Sequence, residues 1–412
     1  MYNTSNLSLN QKKFLLYVAS ILVGIFSGMT DIVFFNELAG FISNAFVKIF
    51  KFISLPLISL SLIVNLSKQH PKQGMGRIWS ETVLYAMITT MLAASVAMAI
   101  YNIISPSNVV IKSVTYIPSK NNYLSYISSL VPDNLLYPFL NGQVITILAI
   151  CLCIAIAIRF IKNEQAKDTT LLFFTGMHSI FLIITGWIMK IIPIAMGAFI
   201  ASTILQIRSG SDIAGLGEYL STIVLANIVQ GIVILPIFLY LHGLNPLKVA
   251  RGMMPAILVA FFSKSSTGTL PVTMRIAEQN LNVSPQISRG ILPFCTSINM
   301  NGCAAFIFVT VVYVMQNHGV ILSFSQMLMW IPIAAISAAG NGGIPMGCFL
   351  LCSTLLSNMG VPVHLMGMIL PFYTILDMLE TALNVWSDAC VTVVVDKHHS
   401  GLSDNTIESV GD

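Results

Sequence analysis

Between Pro371 and Val395 the chain reads PFYTILDMLETALNVWSDACVTVVV, and no other stretch constrains the fold as tightly. It is long enough and apolar enough to cross a bilayer, yet it holds Asp377, Glu380 and Asp388. A carboxylate near the centre of a lipid-facing helix costs roughly 2.5–3.5 kcal/mol. On a helical wheel at about 100° per residue, with Asp377 at zero, Glu380 falls at roughly −60°, Thr381 at roughly +40°, Asn384 at roughly −20° and Asp388 at roughly +20°. The polar groups share one face, and the remainder is Ile, Leu, Met, Val, Ala and Trp. A seam of this kind must face protein or ligand. A buried network that merely joins helices would need basic residues to neutralise it, and no equal number is at hand. The polar face therefore points to a cation and substrate site inside a membrane.

The rest of the chain supports a membrane setting. Its 412 residues are 56% hydrophobic and only 9% charged, with a mean hydropathy of +0.83, whereas soluble domains are about a quarter charged. Long apolar runs rather than short alternating segments exclude a β-barrel and predict an all-α polytopic membrane protein. The first run, Phe14 to Met29, lacks a small-residue cleavage site and reads as part of the architecture rather than as a signal peptide. Further runs lie near 40–66, 79–104, 136–162, 171–206 and 216–242. With a cytoplasmic N-terminus, the loops carrying Lys68, Lys72 and Arg77, then Arg159, Lys162 and Lys167, then Lys248 and Arg251, all fall inside. Asp31 and Glu37 mark the other side, as does the polar 105–135 excursion despite Lys112 and Lys120. The net charge of +4 is spread over these loops and implies topology, not nucleic-acid binding. The seven cysteines form no CxxC or zinc spacing and read as small packing residues.

After residue 243 the apolar segments are broken by Gly, Pro and hydroxyl clusters: SKSSTGTLP within 256–276, TSINMNGCA within 291–313 and SAAGNGGIP within 327–356. Unsatisfied backbone is expensive in lipid, so such breaks predict a buried cavity. Gly268-Thr-Leu-Pro271 and Gly342-Gly-Ile-Pro345 share the pattern G-x-[LI]-P, a faint repeat of the sort inverted-repeat transporters carry. There is no nucleophile–base pair, HExxH or phosphate loop to suggest an enzyme, and hairpins closing a midplane site favour a carrier over a channel.

SKSSTGTLPVTM, SINMNGCA, GNGGIP and ILDMLETALNVWSD resemble the serine-rich hairpin, the NMDGT segment, the second hairpin and the last helix of the dicarboxylate/amino acid:cation symporters. The likeness runs from about residue 13 to 396 and includes Gly76-Arg77 and Asn141-Gly-Gln143. This resemblance implies eight transmembrane helices, two re-entrant hairpins, inverted repeats and an elevator-type homotrimer working in the lipid bilayer of the plasma membrane, a bacterial inner membrane. It divides the chain into scaffold helices 1 and 2 (1–78), transport-domain helix 3 (79–106), scaffold helices 4 and 5 with the external loop (107–210), the rest of the transport domain (211–398) and a cytoplasmic tail (399–412). By the same resemblance, Asp377 takes the substrate's α-amino group. Ser265, Ser266 and Gly343 at the hairpin tips hold its carboxylate, with Cys303, Glu380, Thr381 and Asn384 completing the substrate site. Asp388 binds sodium with backbone oxygens around Cys295, Asn299 and Asn384.

The departures carry the specificity argument. Glu380 stands where relatives that carry acidic amino acids place an arginine, and Tyr373 where they place its aspartate partner. Asn301 replaces the aspartate of NMDGT, and Ala86 a tyrosine near Thr89 and Thr90, so this sodium site is expected to be weakened. A further site, at Ser297 and Asn341, is expected to be weakened too, with Ala338 and Asn341 in place of hydroxyls. Side chains at i and i+3 sit about 5–6 Å apart. Two carboxylates at that distance repel by roughly 3 kcal/mol at an effective dielectric of about 20. The repulsion disfavours an acidic substrate, and a dicationic ligand or a proton relieves it. Arginine, lysine or ornithine is the favoured substrate. A neutral amino acid of the serine, alanine or threonine type, with a proton on Glu380, is the alternative, and internal pairing of Glu380 with Lys264 is the third reading.

Overall fold

The computed structural model describes residues 9–30, 32–67, 76–109, 134–140, 144–208, 214–341, 343 and 346–399. Several expectations fall outside them: Asp31, the Lys68, Lys72, Lys112 and Lys120 loops, the 141–143 motif, Gly342, Ile344 and Pro345 of the second repeat, and the tail beyond 399. Among the described residues the chain is helical, without a strand. The elements are α1 (Leu9–Met29), α2 (Val33–Ser67), α3 (Gly76–Ile104), α4 (Val144–Arg159), α5 (Glu164–Arg208) and α6 (Ala214–Val229). A π-helical turn (Gln230–Ile234) leads into α7 (Leu235–Leu241), α8 (Pro246–Ser263), α9 (Ser266–Leu281) and α10 (Pro285–Ile298). The chain closes with α11 (Asn301–Asn317), α12 (Phe324–Ala339), α13 (Gly347–Asn358) and α14 (His364–His399). Among the described residues, six helical stretches, Gly76–Ile104, Glu164–Ile188, Gly215–Leu241, Pro246–Ser263, Pro285–Asn317 and Leu365–His399, are long and apolar enough to cross a membrane.

One group of helices is formed by α1, α2 and α5, with α4 lying on α2. Where α1 crosses α5, a Cβ on Gly24 would run into the Gly197 carbonyl, so small residues set the approach. Arg208 near the end of α5 donates to the Gly28 and Met29 carbonyls (3.2 and 3.0 Å) and closes the end of α1.

The second group surrounds α11, whose residues Asn301 to Met315 are buried on every side. The three breaks foreseen in the sequence are present. Lys264 takes a left-handed conformation (φ 55°) that ends α8, and Ser265 caps α9 by accepting the Gly268 N–H at 3.0 Å. The base of this hairpin is tied by Asn280, which donates to the Gly252 carbonyl at 2.8 Å. Asn299 and Met300 leave helical geometry between α10 and α11. The third break runs from Gly340 to Met346, which is again left-handed (φ 62°). The arms of this second hairpin, α12 and α13, both lie on α11. The register of α3 against α14 is fixed at one end, where His398 and His399 both bond the Glu81 carboxylate. Thr89 and Thr90, about two turns further along α3, then reach Asn299, which in turn bonds Asp388 on α14.

Candidate functional site

The polar face of α14 is buried as the wheel requires: Asp377, Glu380, Thr381, Asn384, Ser387 and Asp388 are all inside. The two hairpin tips meet near Asp377, several turns into this helix. Ser265 Oγ donates to the Gly343 carbonyl at 3.3 Å. Gly343 has φ +68°, and a Cβ there would stand 2.8 Å from Thr267 Oγ1 and 3.3 Å from Ser266 Cβ. Glycine is required at this contact by both conformation and space. The second tip also reaches α14, since the Met346 N–H donates to Asp377 Oδ2 at 3.3 Å.

Behind the tips lies a buried cluster of sulfur and carboxylate. Glu380 is 1% exposed. Tyr373 donates to its Oε2 at 3.4 Å, while its Oε1 has no partner. No ion pair with Lys264 is present, so the third reading of Glu380 lacks its contact. Sulfurs of Cys303 and Cys348 come within 4.8 Å of the Glu380 carboxylate. These two cysteines form a disulfide across α11 and α13, with Cα atoms 5.8 Å apart. The packing-residue reading therefore fails for this pair. Forty-five positions separate them, so no spacing motif could announce them. Cys151, Cys295, Cys352 and Cys390 are free and buried, as that reading expects, and Cys153 is free and exposed. Asn341 donates towards both bridged sulfurs (3.2 and 3.3 Å), and Asn384 towards Cys303 at 3.4 Å. Asn384 also accepts the Gly302 N–H at 2.8 Å. Gly302 is where α11 meets α14 most closely: a Cβ there would lie 2.6 Å from Glu380 Cα.

About two turns along α14 is a second polar cluster. Asn299, at the break before α11, donates to Asp388 Oδ1 at 3.1 Å. Its own Oδ1 accepts from Thr89 (2.9 Å), Thr90 (3.5 Å) and Ser387 (3.1 Å). Asn301 joins this cluster, held from the other side by Gln230 of the π turn. Asp388 Oδ2 is buried without a partner. Two further sequence-predicted residues make hydrogen bonds of their own. Ser297 bonds back to the Pro293 carbonyl of its own helix at 3.4 Å, whereas Asn341 turns to the sulfurs. Cys295 offers its carbonyl to the Asn299 N–H at 2.8 Å as the last bond of α10. Thr381 bonds back to the Asp377 carbonyl at 2.7 Å. Sequence reasoning passed over Gln230, Ser387, Cys348 and the hydroxyl of Tyr373. An amide in the middle of the apolar run 216–242, one of two there with Asn227, is the available signal for Gln230.

Two hairpin tips closing over a carboxylate-bearing helix agree with the profile of the sodium:dicarboxylate symporter family, which matches residues 14–398. The chain belongs to that family. Among its relatives, the neutral amino acid transporter B(0) of Bos taurus is 26% identical over 391 residues, spanning 86% of this chain and 72% of that protein. A putative sodium-dependent excitatory amino acid transporter of Caenorhabditis elegans, glt-4, is 24% identical over 414 residues, spanning 87% and 82%. The neutral amino acid transporter A of Bos taurus is 25% identical over 389 residues, spanning 83% and 73%. As a member of the symporter family the chain is a multi-pass plasma-membrane transporter and not an enzyme. Sodium is the ion in the family's description. The donors at Asp388 fit a hard cation: a buried carboxylate oxygen lacking any partner, beside the backbone of a broken helix.

Proposed function

We propose that this chain carries an amino acid across the membrane together with sodium, and that Asp377 and Glu380 hold the substrate. Asp377 takes the α-amino group, and the N–H groups and hydroxyls of Ser265, Ser266 and Gly343 take the α-carboxylate. Asn384 and Thr381 line the same face, and Cys303 floors the side-chain pocket. Asp388, with oxygens near Cys295, Asn299 and Asn384, takes the sodium ion. The observation that carries this reading is the closure of both tips over α14, with Ser265 Oγ 3.3 Å from the Gly343 carbonyl. Helices α1, α2, α4 and α5 act as the trimer scaffold, and the group around α11 moves as an elevator.

The favoured substrate is cationic: arginine, lysine or ornithine. Glu380 keeps one carboxylate oxygen without a partner in a buried pocket, and a guanidinium or ammonium would satisfy it. The second reading is a neutral amino acid with a proton on Glu380. One observation favours it: two of the relatives are named as neutral amino acid transporters. A thermal-shift screen of the purified protein against the proteinogenic amino acids, with and without sodium, tests both. A ligand at about 100 times its dissociation constant adds roughly 2.7 kcal/mol. A shift for cationic amino acids that needs sodium supports the first reading, a shift for serine or alanine the second, and no shift for any amino acid contradicts both.

A further inference from the structure

We propose that the ion position at Thr89, Thr90 and Asn301 has been given over to a built-in donor: the Asn301 amide, held by Gln230 from the π-helical turn, stands where a cation would stand. The proposal rests on the sodium-coupled reading above, and it replaces the expectation of a weakened sodium site with that of no site at all.

The orientation of the two amides follows from their partners, which is how such groups must be assigned. Gln230 is completely buried, and one of its amide atoms lies 3.1 Å from the Thr89 backbone carbonyl. A carbonyl can only accept, so that atom is the nitrogen. The same nitrogen is 2.7 Å from the Asn301 side chain, whose facing atom must therefore be the accepting oxygen. The Asn301 NH2 then points the other way. Four oxygens surround it: Ser387 Oγ at 2.7 Å, Asn299 Oδ1 at 2.8 Å, and Thr89 Oγ1 and Thr90 Oγ1 at 3.4 Å each.

This arrangement suits an amide and not a sodium ion. All four oxygens are neutral, and a desolvated ion at this depth needs a counter-charge that they do not bring. The amide meets them with two polar hydrogens and no net charge to desolvate. A cation could enter only if Asn301 turned its oxygen inward, and Gln230 opposes that turn by donating to it. The π turn is what brings Gln230 to this place. Its wider bonding runs from the Leu235 N–H to the Gln230 carbonyl. The neighbouring Gly231 carbonyl is taken by Trp386 Nε1 of α14 at 3.0 Å. A π turn inside an α-helix often marks a functional position, and here it anchors α6 to the ion-binding end of α14.

Counting bound radioactive sodium on the purified full-length protein, by equilibrium binding to saturation, tests the proposal. Asn301→Asp supplies the missing charge and is expected to bind one more sodium per chain than the wild type. Gln230→Glu cannot donate from an ionised carboxylate. It is expected to turn the Asn301 amide over, place a charge beside it and likewise gain one sodium. A glutamine that served packing alone would lose stability in this variant and gain no ion. If Asn301→Asp does not fold, Gln230→Glu decides. The proposal is overturned if neither folded variant binds more sodium than the wild type. The wild-type count itself, compared with Asp388→Asn, belongs to the functional reading. If these two bind equally little, sodium coupling at Asp388 fails, while the difference between Asn301→Asp and wild type still decides the amide proposal.

Discussion

Two polar pockets share one face of α14 and are built in opposite ways. Around Asp388 almost every donor and acceptor meets another within the protein, through Asn299, Asn301, Thr89, Ser387 and Gln230. One carboxylate oxygen, Asp388 Oδ2, and one amide oxygen, Gln230 Oε1, are left over. Around Glu380 the neighbours are sulfurs and a single tyrosine hydroxyl, and among the described residues no cation pairs with it. A buried charge is tolerated only when paired. The difference shows where each pocket expects its partner to come from. At Asp388 the protein supplies nearly all of the shell and leaves one carboxylate oxygen free to accept a ligand. At Glu380 it supplies little, and the ligand must bring the donors. On the proposed reading, specificity belongs to the poorly furnished pocket and coupling to the well furnished one.

The largest effect is expected at Asp377, which serves every substrate reading. Asp377→Asn removes the ionic partner of the α-amino group, so calorimetry should detect no amino-acid binding. Unchanged affinity would take Asp377 out of the site. Next is Asp388→Asn, which deletes the one carboxyl group of the well furnished pocket. Uptake into proteoliposomes should lose its dependence on sodium, and uptake that keeps this dependence would put coupling elsewhere. Glu380→Gln should be smaller and selective. A charge-assisted hydrogen bond contributes roughly 1.5–3 kcal/mol, so affinity for a cationic amino acid should fall about tenfold to a hundredfold. Affinity for a neutral one should change little. Equal losses for both classes, measured by titration, would make Glu380 a structural residue.

The contrast between the pockets was only partly legible in the chain. The helix breaks at Lys264–Ser265, Asn299–Met300 and Gly340–Met346 could be read because Gly, Ser and Asn have a backbone meaning of their own inside apolar runs. The polar face of α14 could be read because helical periodicity gathers Asp377, Glu380, Asn384 and Asp388. Gln230 could not be placed, because a π turn shifts the face a residue presents and leaves no composition signal. The pairing of Cys303 with Cys348 and the approach of Tyr373 to Glu380 depend on which helices pack together, which local pattern does not encode.

Two smaller tests sharpen the comparison from its margins. Gly302 holds α11 against α14 between the pockets. Gly302→Ala places a methyl 2.6 Å from Glu380 Cα and should cost about 1–3 kcal/mol, seen as a lower unfolding midpoint. A wild-type midpoint would mean that the helices part freely there. Ser323, by contrast, caps α12 far from either pocket, with Gln326 accepting its N–H at 2.7 Å. Ser323→Ala should cost about 1 kcal/mol and leave both substrate affinity and sodium dependence as they are. A change in either would mean that the second hairpin transmits strain to the site.

The most direct test of the central claim is competition for uptake into proteoliposomes under a sodium gradient. Arginine, lysine, serine, alanine and aspartate serve as competitors at two pH values. Glu380 as the reader of a cationic side chain predicts that arginine and lysine compete best and that aspartate does not compete. Best competition by serine or alanine, with a steep pH dependence that vanishes in Glu380→Gln, would hand the site to the neutral reading. Best competition by aspartate would contradict the account.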